Sequence, residues 1–127
     1  MAGKLDAKQQ RRVEEIHGHL MTLSKIKRLV AELESNRAAR SSILDTICGN
    51  IEKHLSQMRQ RALTANIGTL ADQAGALSVL AGRSGSGVAI KIRGLNEGLN
   101  GITMQLDQAL KVALKGEDPD TGPPPAA

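Results

Sequence analysis

Apolar residues recur at every third or fourth position along almost all of this 127-residue chain, and that spacing points to helices. The first row runs Val13, Ile16, Leu20, Leu23, Ile26, Val30, Leu33, and Leu5 extends it toward the start. Glu34, Ser35 and Asn36 suit its end. A second row opens at Ser41 and Ser42, where Asp45 three residues after Ser42 resembles a capping box. It passes through Ile47, Ile51, Leu55, Met58 and Ala62, and goes on through Leu63, Ile67, Leu70, Ala74, Leu77 and Ala81. Unbroken, this helix would hold about 40 residues and span roughly 60 Å. Gly49 and Gly68 are the places where it could kink. Gly82-Arg-Ser-Gly-Ser-Gly87 then breaks the pattern, since three glycines in six residues punctuate any helix. The third row, Val88, Ile92, Leu95, Leu99, Ile102, Leu106, Ala109, Ala113, alternates steps of four and three, which is heptad spacing.

The expected fold is all-α. Three long helices, roughly 5–34, 41–81 and 87–115, form an antiparallel bundle with coiled-coil-like packing. Four helices are expected if the middle one is broken. The short connections favour antiparallel neighbours. Residues 1–115 make one helical bundle domain. Residues 116–127, GEDPDTGPPPAA, are acidic and hold all four prolines, a composition expected to stay disordered.

The chain contains no Phe, Tyr or Trp. Aromatic rings are the largest contributors to most cores and pockets. A core built from Leu, Ile, Val, Ala and Met suits thin helix–helix seams better than a deep ligand cavity. The same absence removes the aromatic platforms on which many single-strand nucleic-acid binders stack bases. The formal charge is +4. Residues 1–61 carry twelve Lys/Arg against seven Asp/Glu, while the tail adds three acids. Positive and negative groups alternate along the first helix, as on an ordinary solvated surface. Cys48 is the only cysteine, so no intrachain disulfide forms, which favours a reducing, cytoplasmic setting. The first sixteen residues lack the apolar run of a signal peptide. The most apolar stretch, 62–82, is interrupted by Asn66, Asp72 and Gln73, so no membrane span is expected.

Beside the apolar row of the second helix lies a row of small residues: Thr64, Gly68, Ala71, Gly75, Ser78, Gly82. Each glycine inside a helix costs roughly 0.5–1 kcal/mol relative to Ala. Close approach of another backbone would offset that cost, as small residues allow in membrane helix pairs. The alternative is that these glycines are merely tolerated. The third helix repeats the theme with Gly94, Gly98 and Gly101, near Ile90, Gln105 and Val112. The candidate interaction residues are therefore Ile67, Gly68, Leu70, Gly75 and Leu77 from the second helix. From the third come Ile92, Gly94, Leu95, Gly98, Leu99, Gly101, Ile102 and Leu106. The Ile92–Leu99–Leu106 row is expected to bury itself against Ile67–Leu70–Leu77, leaving residual apolar or glycine faces for another chain.

Catalytic constellations are weak. Glu14 and His17 have the Glu-x-x-His spacing of di-iron bundles, but those sites need two copies. His17 and His19 are two apart and do not share a helix face. Cys48 and His54 lie nearly two turns apart and point in different directions. Gly82 to Gly87 lacks both the preceding strand and the following Lys-Ser/Thr of a phosphate loop. No catalytic, cofactor-binding or metal residue is expected, and the chain is not read as an enzyme. The function expected is a non-catalytic helical interaction or assembly protein, working as an oligomer or within a larger complex. The partner is a protein or a second copy of the chain. The alternative, less favoured, is a basic helical protein that binds nucleic acid or phosphorylated partners.

Overall fold

The structure, a computed structural model, describes residues 6–65, 67–83 and 87–115. It is all-helical there, with four helices in the order α1 (Ala7–Ser35), α2 (Ser41–Ala65), α3 (Leu70–Gly82) and α4 (Val88–Lys115). The expected disordered tail, and Leu5, lie outside the described residues.

Helix α1 starts at Asp6 for a local reason. Its carboxylate accepts from the Gln9 backbone N–H at 2.7 Å, and the Asp6 N–H donates to Gln9 Oε1 at 3.0 Å. This reciprocal capping box satisfies two backbone donors that a helix start would otherwise leave unpaired. The helix ends at Asn36, whose side-chain Nδ2 donates to the Glu32 carbonyl at 2.7 Å. Its buried row is Ile16, His19, Leu23, Ile26, Val30 and Leu33. The steps of three and four match the expected row, except that His19 is buried where Leu20 was expected and Leu20 is half-buried.

The main correction concerns the middle helix, which is not one 41–81 rod. Between Ala65 and Leu70 the chain turns back, and Gly68 has φ +47°, the left-handed region that glycine occupies at little cost. Ile67 is buried just before the turn, and its carbonyl accepts the Leu70 N–H at 2.9 Å. Gln105 of α4 clasps the turn from outside. Its Oε1 accepts the Thr69 N–H at 3.1 Å, and its Nε2 donates to Thr69 Oγ1 at 2.7 Å. The break lets Leu70, Ala74, Leu77 and Ala81 return to the core, where a straight helix would have carried them past it.

Each helix packs on two neighbours, α1 on α2 and α4, and α3 on α2 and α4. The registers are antiparallel. Along α2 and α3, Arg59 lies over Gly75, Ser56 Oγ and Ser78 Oγ share a hydrogen bond of 2.9 Å, and Glu52 meets Gly82. Along α3 and α4, Gln73, Leu77 and Leu80 lie over Gly101, Gly98 and Gly94. Gln9 Nε2 reaches the Ala113 carbonyl at 3.5 Å, which places the start of α1 beside the end of α4. A four-membered up-and-down ring of helices results, with one aliphatic core.

Candidate functional site

The sequence-derived interaction residues divide between the core, the seams and the turn. Ile67, Leu70, Leu77, Ile92, Leu95, Leu99, Ile102 and Leu106 are buried within the chain. As expected, the α4 row and the row beginning at Ile67 belong to one apolar cluster. The glycines serve close packing, but inside the molecule. An added Cβ at Gly98 would meet Leu77, with Cδ1 at 2.6 Å and Cγ at 2.8 Å. At Gly94 the nearest atom is Leu80 Cδ2 at 2.6 Å, and at Gly101 it is the Gln73 amide at 3.7 Å. Gly75 is covered by the Arg59 side chain at 3.1 Å. The small-residue faces read as surface for another chain are thus occupied by α3 against α4 and α2. Gly68 does not belong to a seam. It sits in the turn, and the continuous small row 64–82 is divided there.

What α3 and α4 leave exposed is different. Met104 is 73% exposed, Ile90 68% and Val79 62%. Ile90 and Met104 are fourteen residues apart, four turns of helix, and fall on nearly the same side of α4. Met104 also lines a groove of about 520 Å³ at one end of the bundle. Its walls come from the Ile67–Thr69 turn, from Gln105, Gln108, Ala109, Val112 and Ala113 of α4, and from Arg12 of α1. Arg12 lies 3.9 Å from Glu15. Sequence reasoning placed Ile90 and Val112 beside the glycine face but missed Met104 and Val79. Both fall outside the apolar rows, in sectors otherwise polar, so periodicity does not single them out. Only the turn at Gly68 brings Ile67 opposite Val112 and creates the groove.

The titratable groups are dispersed. Glu14 and His17 are both exposed, and His54 is half-buried. Cys48 is buried, and burial pushes its thiol above its ordinary range, with Lys91 acting in the opposite sense. A buried thiol held in its protonated form is a poor nucleophile. His19 is 3% exposed in the core face of α1, and burial holds its pKa below the ordinary value, with Arg61 and Arg12 adding to the effect. Among the described residues no group of three His, Cys, Asp or Glu converges on a metal-sized site, and no helix is long and apolar enough to cross a membrane. No protein-family model, no curated protein and no solved structure matches this chain.

Proposed function

We propose that this chain is a non-catalytic helical interaction or assembly protein that self-associates in a reducing, cytoplasmic setting. The observation that supports this reading is the exposure of three large aliphatic side chains on two adjoining helices, Val79 on α3 and Ile90 and Met104 on α4, with Met104 also lining the end groove. Single exposed aliphatics are common on any surface. An apolar groove with an exposed methionine at its wall is the kind of surface that marks a contact site. Methionine adapts its shape to a partner at small cost. Covering these side chains and the groove would be favourable by about 25 cal/mol per Å² of apolar area removed from water, with no cofactor required. The sequence-derived seams contribute indirectly, by holding α3 against α4.

The test is light scattering over a range of concentrations, with the triple variant Val79→Glu, Ile90→Glu, Met104→Glu as comparison. The wild type is expected to exceed the monomer mass. The variant is expected to return to it with helicity unchanged by circular dichroism. A wild type that stays monomeric at every concentration defeats the proposal of self-association. Binding to nucleic acid that collapses between about 50 and 200 mM salt would favour the basic alternative instead.

A further inference from the structure

We propose that His19 is a proton-sensitive latch, which keeps α1 docked at neutral pH and releases it as the surroundings become mildly acidic. His19 occupies the core row of α1 between Ile16 and Leu23, where the neighbouring members are aliphatic. It is buried, and its Nδ1 has no hydrogen-bond partner among the described residues. An aliphatic residue there would pack without that unmet polar atom, so the ring weakens a seam that Leu would strengthen.

The surroundings favour the neutral ring. From its own helix, Arg12 bears on it, and Glu15, one turn before it, is exposed and lies 3.9 Å from Arg12. From α2 the charged group is Arg61, also positive. From α4, the register set by Gln9 and Ala113 brings residues 102–106 to its level, and Ile102, Thr103 and Leu106 there carry no charge. Asp107 of α4 and Asp72 of α3 are exposed, and His17, two residues away, is exposed as well. Protonation would therefore add a positive charge to a buried ring on which two arginines already bear. Burial is the leading cause that lowers its proton affinity, and Arg61 and Arg12 act in the same sense.

The sign follows from linkage. In the unfolded chain the ring takes up a proton near its ordinary value of 6.5, while the folded chain resists until lower pH. The neutral ring's contribution is complete above about pH 6.5, falls as pH drops below that, and stops falling once the folded form also protonates. Because α1 packs on α2 and α4 but not on α3, its release would open one side of the ring and leave the α2–α3–α4 contacts in place.

The experiment uses the full chain. Thermal unfolding is followed by circular dichroism from about pH 7.5 to 5, and the three histidine rings are titrated by NMR. The melting temperature is expected to fall across this interval, with α1 amides exchanging faster than those of α3. His19→Leu should remove most of the fall, while His17→Gln and His54→Gln should keep it. A melting temperature whose pH dependence survives His19→Leu overturns the latch. So does a wild-type His19 ring that titrates at or above 6.5, a measurement that decides the matter even if the Leu variant fails to fold.

Discussion

Gly98→Ala and Gly101→Ala are the same chemical change one turn apart on one helix face, and the structure gives them opposite signs. Alanine improves intrinsic helix propensity by about 1 kcal/mol at either site. At Gly101 the new methyl meets the Gln73 amide no closer than 3.7 Å, an ordinary contact, so about 0.5–1 kcal/mol of stabilisation should survive. At Gly98 the new methyl lies 2.8 Å from Leu77 Cγ and closer still to both its methyls, so the whole side chain must move. Leu77 is buried in the core and has little room to do so. Overpacking of this kind costs about 1–3 kcal/mol, which outweighs the helical gain and leaves a net loss of about 1 kcal/mol. For a chain this size each kcal/mol is about 4 °C of melting temperature, so the variants should melt on opposite sides of the wild type. Thermal unfolding by circular dichroism reads this directly. A double-mutant cycle isolates the cause, because in a Leu77→Ala background Gly98→Ala should become neutral or stabilising. If Gly98→Ala stabilises the wild type as much as Gly101→Ala, α3 does not seat its leucine on α4 and the seam has been misread.

Other consequences can be measured in the same way. Gly68→Ala should destabilise by about 1–2 kcal/mol, because φ +47° disfavours a Cβ and the added carbon would sit 2.9 Å from Gln105 Oε1; an unchanged denaturant midpoint would count against the turn. Leu99→Asp buries a carboxylate in an aliphatic core without a partner, and loss of cooperative folding is expected by circular dichroism; a native-like melt would contradict the burial of that row. Cys48 should react with a thiol reagent far more slowly in the folded chain than in denaturant, since it is both buried and held protonated; equal rates would place it at the surface.

The rows at Ile16–Leu33 and Ile92–Leu106 were legible in the sequence because a helix that buries one face must repeat its apolar residues at threes and fours, whatever it packs against. Glycine placement likewise put the end of one helix at Gly82 and the start of the next at Val88, and offered close packing as one reading of Gly94, Gly98 and Gly75. Periodicity could not reveal the break at Gly68. Both α2 and α3 bury a face, and a continuous register across 62–81 looks the same whether the chain runs straight or folds back. The choice came from burial elsewhere: Leu70, Ala74 and Leu77 reach the core only if the chain reverses, and Gln105 sits across the bundle to hold Thr69. Solvation followed from the same event. The glycine faces that could have met another molecule met α3, while Met104 and Val79, unremarkable in their polar sectors, were left outside. Local spacing thus determined that helices form and which stripe of each turns inward. Long-range packing decided how many helices there are, which faces they cover for one another, and that a histidine rather than a leucine completes the seam of α1.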